Sequence, residues 1–223
     1  MPRIARVAPG GMAFHVLNRG VGRMKVFHAE KDYDAFRRVV EETLRMTPIR
    51  ICAYCWRPNH WDFVLWPEED GQLSAFMQRM ANMHTQRWQR AKLRVGYGHL
   101  YQGRFKSFPI EGDDHFFAVV RYVERNALRA GLVARAEDWR WGSLHQRVFR
   151  AAGPALSAWP LREPRDWIEQ VNQPQTEAEV DAIRRCVRRG CPYGNPAWVG
   201  QAAEALGLQS TLQPRGRPRK KPI

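Results

Sequence analysis

Long apolar segments are absent from this sequence. None of its 223 residues belongs to a run of about 18 apolar side chains, the length that spans a bilayer, and no apolar signal segment follows Met1. The absence argues against a membrane-embedded or secreted protein. We therefore expect a cytoplasmic protein with no membrane partner.

Acidic side chains are few compared with basic ones. The chain has 22 Asp and Glu against 36 Lys and Arg, a net charge of +14. A positive charge of this size on a Trp-rich chain favours a polyanionic partner, and nucleic acid is the commonest one. The composition therefore predicts a nucleic-acid-binding protein.

Cysteine is also rare, and its spacing does not favour a zinc site. Cys52 and Cys55 lie in an alternating apolar run, where their odd spacing predicts opposite faces of a strand. Cys186 and Cys191 are too far apart for a zinc knuckle. We predict buried, reduced thiols.

Hydrophobic periodicity predicts a mixed α+β chain with an antiparallel hairpin at its centre. Strands are predicted over residues 12–17, 49–56, 60–66 and 100–110, and helices over residues 32–46, 72–93 and 115–130. The short Arg57-Pro58-Asn59 turn joins the second strand to the third.

Composition divides the chain into four parts. These are a basic lead-in (1–11), a main domain (12–150), a helical C-terminal extension (151–212) and a basic tail (213–223), which we expect to be disordered when free. The extension contains two predicted helices, residues 176–189 and 197–206, which resemble a small helix-turn-helix appendage.

Two metal-competent side chains lie two residues apart on the third strand. His60 and Asp62 share one face of that strand because successive side chains alternate. An imidazole nitrogen and a carboxylate oxygen suit Mg²⁺ or Mn²⁺ better than a thiol-loving metal. A His-x-Asp pair also occurs by chance, so the pair alone does not establish a metal site.

A second constellation lies on the last predicted helix of the main domain. Tyr122 and Asn126 are four residues apart and therefore share a helix face. If that helix packs on the sheet face of His60 and Asp62, the Asn126 carbonyl oxygen completes a metal site and the Tyr122 phenolate can attack a phosphodiester. Taken alone, a helical tyrosine near arginines is most often a packing residue.

Four motifs, in order, resemble one known family. They are P-N-H-W-D-F-V-L-W-P (Pro58–Pro67), Y-Q-G-R-F-K-S (Tyr101–Ser107), R-Y-V-E-R-N-A-L-R-A-G-L-V (Arg121–Val133) and D-W-R-W-G-S (Asp138–Ser143). Together they resemble the REP-associated tyrosine transposases, relatives of the IS200-like transposases in the HUH endonuclease superfamily.

The resemblance implies a fold, a site and a substrate. It implies a ferredoxin-like α+β core with helices on the faces of an antiparallel sheet, a catalytic Tyr122, and metal ligands at His60, position 62 and Asn126. It further implies single-stranded DNA hairpins of repetitive extragenic palindromes (REP) as substrate, cleaved and rejoined through a 5′-phosphotyrosine, and hence a bacterial, nucleoid-associated protein. A monomer is favoured, and a homodimer stays open.

One position departs from the family signature. The family has His-hydrophobic-His, whereas this chain has His60-Trp61-Asp62. A carboxylate is a hard ligand that Mg²⁺ accepts, which favours a retained enzyme. The alternatives are a catalytically weakened protein that binds hairpin DNA without cutting it, and an RNA-binding or structural protein that retains only the sheet.

Basic side chains outside the metal site are predicted to contact DNA. Interleaved basic and aromatic residues over 100–110 are typical of a single-strand groove, and the tail is similar to an AT-hook. The predicted DNA-binding residues are Arg19, Arg23, Arg104, Lys106, Arg125, Arg215, Arg217, Arg219 and Lys220.

Overall fold

Four strands form one antiparallel sheet at the centre of the protein. The computed structural model describes residues 7–213, and its strands are β1 (Ala13–Arg19), β2 (Arg50–Arg57), β3 (His60–Trp66) and β4 (Lys106–Ile110). Their order is β2-β3-β1-β4, and each neighbouring pair is antiparallel. This is the ferredoxin-like order, and the predicted α+β fold is confirmed.

Two long helices cover one face of the sheet. Helices α1 (Glu30–Met46) and α2 (Gln72–Ala91) each bury one apolar stripe. Trp61 and Phe63 of β3 point into the core that these helices share with the sheet. Because side chains alternate along a strand, His60, Asp62 and Val64 must point to the opposite face.

The second face of the sheet is covered by α3 (Asp114–Glu124). Val119, Val120 and Val123 of this helix lie in one buried cluster with Val64 of β3. Helix α3 therefore packs on the sheet face that carries His60 and Asp62. This is the arrangement required if Tyr122 and Asn126 are to share a site with them. The remaining helices are α4 (Asn126–Arg129), α5 (Ser143–Phe149), α6 (Trp167–Asn172), α7 (Glu177–Arg189), α8 (Pro196–Ala205) and α9 (Gln209–Leu212).

The C-terminal extension is packed against the sheet edge and is not a detached appendage. Helix α7 contacts β4 and α3. The Tyr193 backbone N–H donates to the Pro109 carbonyl at 3.0 Å, and Glu111 N–H donates to the Tyr193 carbonyl at 2.9 Å. These bonds place the segment between α7 and α8 as a parallel bridge beside Ile110, at the β4 edge.

The strand predicted over residues 100–110 is wrong in its first half, since β4 begins only at Lys106. Tyr101 is buried under the sheet, where its hydroxyl accepts from Trp61 Nε1 at 2.9 Å and contacts His84 Nδ1 at 2.5 Å. Tyr101 makes only an isolated antiparallel bridge to Gly20, just beyond β1, and the regular strand does not begin until Lys106. The rings at Tyr101 and Phe108 are therefore core residues and do not stack on bases.

The helix predicted over residues 115–130 is divided at Arg125, where φ is −79° and ψ is −6°. Asp113 caps its start as predicted, accepting from His115 N–H at 2.9 Å. Gly131, with φ +68°, ends the second part as predicted. The division is slight, because Arg129 N–H still donates to the Arg125 carbonyl at 2.8 Å.

Cys52 and Cys55 face the same side of β2, contrary to the prediction. Both lie in the core under α3. The pairing of β2 with β3 shifts between Ile51 and Ala53, so a β-bulge at Cys52 adds one residue and resets the alternation. All four thiols are buried and free, as predicted.

No helix among residues 7–213 combines the length and apolar character that crossing a membrane requires.

A buried glutamate joins the helices that hold α3 in place. The Glu124 carboxylate accepts from Ser143 Oγ at 2.6 Å and from Trp167 Nε1 at 2.8 Å, and it forms an ion pair with Arg147. Ser143 belongs to the D-W-R-W-G-S motif, and its hydroxyl also accepts from the Tyr54 backbone N–H at 3.0 Å. The network therefore ties the helix of Tyr122 to α5, α6 and β2.

We expect Glu124→Ala to lower the free energy of unfolding by about 3–5 kcal/mol, because it leaves the largely buried Arg147 charge without its partner. Glu124→Gln keeps an acceptor for Ser143 and Trp167 and is the milder control. Urea unfolding followed by tryptophan fluorescence measures both variants. A loss below about 1 kcal/mol for the alanine variant, the value of an exposed ion pair, contradicts the assignment.

Candidate active site and nucleic-acid cleft

His60 and Asp62 are placed as two ligands of one ion would be. His60 Nε2 lies 3.5 Å from Asp62 Oδ2, and both side chains are almost completely buried. Ligands at about 2.1 Å from a Mg²⁺ ion lie about 3 Å apart when they are adjacent in its octahedral shell. A small approach of His60 Nε2 toward Asp62 Oδ2 would therefore allow both atoms to bind one ion.

The protonation state of His60 suits metal binding. Its Nδ1 contacts Asn59 Oδ1 at 2.5 Å, and the Arg57 guanidinium contacts Nε2. An amide oxygen accepts and a guanidinium donates, so the proton is assigned to Nδ1 and the lone pair to Nε2. The Asp62 carboxylate acts to raise the pKa of His60, but burial and the charges of Arg57, Arg19 and Arg129 outweigh it and lower the pKa to about 4, which favours the neutral imidazole.

Asp62 is a buried anion held by a second histidine. His15 Nε2, on the neighbouring strand β1, lies 3.1 Å from Asp62 Oδ1. Burial acts to raise the pKa of Asp62, but the hydrogen bond to His15 and nearby positive charge, including that of Arg57, outweigh it and lower the pKa to about 2. Among the described residues, Asp62 Oδ2 has no hydrogen-bond partner.

Asn126 is fully buried at the start of α4, and its side-chain oxygen is already hydrogen-bonded. Its Oδ1, the predicted metal ligand, accepts from the Arg129 guanidinium. Its backbone carbonyl accepts from Arg57 Nη1 at 3.2 Å. Arg57 therefore links Asn126 to His60, and a cation bound at Asn126 Oδ1 would share that oxygen with Arg129 or displace it.

Tyr122 is half-buried and faces the same network. The Arg129 guanidinium lies 4.0 Å from the centre of the Tyr122 ring, a cation–π contact. The His15 ring meets the Tyr122 ring edge-on, with 6.2 Å between centroids. Contacts through Arg57, Arg129 and His15 thus bring the four predicted catalytic and metal-binding residues into one site.

Unsatisfied polar atoms concentrate at this site. Eight buried side-chain atoms lack a hydrogen-bond partner in the part of the chain that the structure describes. Five of them lie here, and they are His15 Nδ1, Arg19 Nε, Arg57 Nε, Asp62 Oδ2 and Asn126 Nδ2. Buried polar atoms without partners are costly, and a bound ligand is one way to satisfy them. Arg19 Nε, Arg57 Nε and Asn126 Nδ2 can donate to a phosphate, and Asp62 Oδ2 offers an oxygen ligand to a hard divalent cation.

A basic cleft opens beside Tyr122. It encloses about 670 Å³, and seven of its thirteen lining residues are basic while none is acidic. The basic residues are Arg19, Arg57, Arg104, Lys106, Arg129, Arg184 and Arg188. A concave surface of this charge concentrates phosphate groups.

The other predicted DNA-binding residues lie elsewhere. Arg23 lines a neighbouring cleft with Lys25 and His60. Arg125 is on neither cleft, because its guanidinium donates to the carbonyls of Val171 and Asn172 and anchors α6. Arg215, Arg217, Arg219 and Lys220 lie outside the described residues.

Five residues of the site were not predicted from the sequence, namely His15, Arg57, Arg129, Arg184 and Arg188. Arg129 follows Asn126 by three residues, so helical spacing could have found it. Arg57 directly precedes the turn that leads into His60, so its closeness to His60 could also have been predicted from the sequence. His15 and the α7 arginines come into place only through pairing and packing.

A second group could hold an ion, but its donors already have structural partners. Glu111, Asp113 and His115 offer donor atoms within 4.8 Å of one another. The Glu111 carboxylate accepts from Asn195 N–H and Nδ2, each at 2.6 Å, and Asp113 caps α3. This group therefore fixes the starts of α3 and α8.

Comparison with protein families decides the relationship. The family model of the IS200-like transposases matches residues 10–126, just over half of the chain. This chain belongs to the IS200-like transposase family. A search of the curated proteins finds no match.

One solved structure shares the fold of this IS200-like transposase. It is described as a REP-associated tyrosine transposase bound to a REP hairpin, with a TM-score of 0.54 and 21% sequence identity. The alignment covers 99% of that chain and 74% of this one, which leaves about a quarter of this chain unmatched.

We expect His15→Leu to weaken Mn²⁺ binding to this IS200-like transposase by about 10–100-fold, because the Asp62 carboxylate loses the contact that orients it. Titration of Mn²⁺ followed by the electron paramagnetic resonance signal of the free ion measures the affinity. His15→Gln, which retains an N–H donor, is the matched control and should bind more tightly than His15→Leu. Unchanged affinity in the leucine variant, with an unchanged melting temperature, contradicts a positioning role.

Proposed function

We propose that this protein is a metal-dependent enzyme that nicks and rejoins single-stranded DNA through a tyrosine nucleophile. The observation that carries the proposal is the placement of Tyr122 in the basic cleft, linked through Arg129 to Asn126 and through His15 to Asp62. Membership of the IS200-like transposase family supports this reaction class.

In the proposed reaction, the Tyr122 oxygen attacks the scissile phosphorus as its phenolic proton passes to solvent. The bond from phosphorus to the 3′ oxygen breaks, and that oxygen takes up a proton from solvent, which gives a 5′-phosphotyrosine and a free 3′-OH. Attack by a 3′-OH on the phosphotyrosine reverses the step, so rejoining needs no ATP. Mg²⁺ or Mn²⁺, when bound, would supply Lewis-acid polarisation of the phosphate.

The side chains of this chain have defined tasks in that reaction. His60, Asp62 and Asn126 would hold the ion, and Asn59 and His15 would orient the first two. Arg57 and Arg129 lie in the cleft, where they can hold the phosphate oxygens on which negative charge develops. Both guanidinium groups would have to move from ligand atoms to phosphate for this.

We further propose REP-type hairpins with single-stranded flanks as the substrate. Four sequence motifs resemble the REP-associated tyrosine transposases. The solved structure with the same fold is described as bound to a REP hairpin. The positive cleft has the charge that such a strand needs.

A second function is favoured by the same arginines. Arg57 contacts Nε2 of His60 and Arg129 contacts Oδ1 of Asn126, so two of the three predicted metal ligands are engaged by guanidinium groups. If no cation displaces them, the protein binds hairpin DNA without cutting it. Asp62, in place of the family's second histidine, would then mark a site that has lost catalysis.

Covalent adduct formation tests the proposed function. Labelled hairpin DNA with single-stranded flanks, taken from the host's own repeats, is incubated with the protein in Mg²⁺, in Mn²⁺ and in EDTA. We expect a denaturant-resistant adduct that requires the metal and is absent in Tyr122→Phe, because the phenyl ring has no nucleophilic oxygen.

The companion measurement separates the two functions. Hairpin affinity is determined for the parent chain and for Tyr122→Phe, which should bind equally well because the hydroxyl is not needed for recognition. Tight binding with no adduct in either metal would refute the enzyme and leave the hairpin-binding protein. Preference for RNA of the same sequence would refute both.

A further inference from the structure

Helix α7 contributes one wall of the cleft that contains Tyr122. Arg184 and Arg188 line this cleft together with Val187. The two arginines are four residues apart, so they stand one above the other on the same face of the helix. This wall belongs to the C-terminal extension, beyond residue 126, where the family model ends.

The position of α7 is fixed by its own packing. Ile183 and Cys186 are buried against the core under α3, which turns the cleft-facing arginines away from that core. Thr176 and Glu179 form a capping box at the start of the helix, and Gly190 ends it with φ +73°. The wall is therefore a built part of the fold.

The arginines of α7 fall into two sets with different surroundings. Arg189 is engaged, since its guanidinium donates to carbonyl oxygens near the end of α9, including that of Thr211 at 2.9 Å. Arg185 is exposed and lines a different pocket, beside Cys191. Only Arg184 and Arg188 point into the basic cleft.

The two cleft-facing charges are not neutralised by the protein. Arg184 lies 3.5 Å from Asp181, but both side chains are more than half exposed, so the pair is weak. Arg188 is exposed and has no ion pair or hydrogen bond within the described part of the chain. Both face a cleft that already contains Arg57 and Arg129. Like charges gathered in this way repel one another unless an anion lies between them.

We propose that Arg184 and Arg188 bind backbone phosphates of the single strand next to the scissile phosphate. The DNA strand would then lie between the sheet and α7, with the C-terminal extension forming one side of its binding site. The inference rests on the proposed function for the identity of the strand. It does not depend on cleavage, since phosphate binding needs only the charges.

Salt dependence of DNA binding tests the inference. The probe is a labelled thymidine oligonucleotide of about 20 nucleotides, longer than most single-strand sites. Binding is measured with Tyr122→Phe protein in EDTA, where no cleavage occurs. For single strands each phosphate contact contributes about 0.7 to the slope of log K against log salt, so Arg184→Gln with Arg188→Gln should reduce the slope by about 1.4.

A matched control removes the same charge from other surfaces. Arg185→Gln lies on another face of α7, and Arg38→Gln lies on α1 across the sheet, and neither residue lines the cleft. This double variant should leave the slope unchanged. If both double variants change the salt slope equally, the change reflects only the lower net charge, and the inference is refuted. An unchanged slope in the Arg184→Gln, Arg188→Gln variant would also refute it.

The two proposals fail in different ways. If the Arg184→Gln, Arg188→Gln variant lowers the slope but the parent chain forms no Tyr122 adduct in any metal, phosphate binding by α7 is supported and the proposed cleavage is refuted. If the adduct forms and this variant behaves like its control, the proposed cleavage is supported and phosphate binding by α7 is refuted. Equal melting temperatures of the two double variants exclude misfolding as the cause.

Discussion

The site depends on the contacts that the buried Asp62 carboxylate makes with the imidazole and guanidinium groups around it. The carboxylate is the anion at the centre of a group of imidazole and guanidinium side chains, and burial alone would favour its neutral form. His15 and His60 lie on either side of it, at 3.1 Å and 3.5 Å. Without this charge, Arg57 and Arg129 would face one another with no anion at the site, and the arrangement would carry a large cost in electrostatic energy.

The arrangement lowers the stability of the free protein and leaves groups available to bind an anion. Five buried polar atoms without partners and seven basic side chains around one cleft both destabilise the free protein. The supporting structure offsets that cost elsewhere. Glu124 satisfies three donors from α5 and α6, and the valines of α3 seal the sheet beneath the site. A phosphate in the cleft would satisfy the guanidinium groups that the fold leaves open.

Local rules predicted the parts of the site that depend on local geometry. Strand alternation put His60 and Asp62 on one face, and helical spacing placed Tyr122 near Asn126, so the four expected site residues are in one network. The same rules failed where tertiary packing prevailed. The predicted strand over 100–110 kept only an isolated bridge at Tyr101 before Lys106, and the bulge at Cys52 reversed the expected alternation. His15 and the α7 arginines reach the site through contacts distant in sequence.

The exchange of histidine for aspartate at position 62 is coupled to the charges around it. An imidazole there would be neutral or positive beside Arg57, and it would meet the imidazole of His15 where the carboxylate now forms a hydrogen bond at 3.1 Å. The carboxylate adds one negative charge to a site crowded with guanidinium groups and leaves Oδ2 free toward His60. The departure from the family signature is therefore matched by its neighbours. A carboxylate compensated in this way retains an oxygen donor for a hard cation, which is the requirement that the proposed chemistry places on this position.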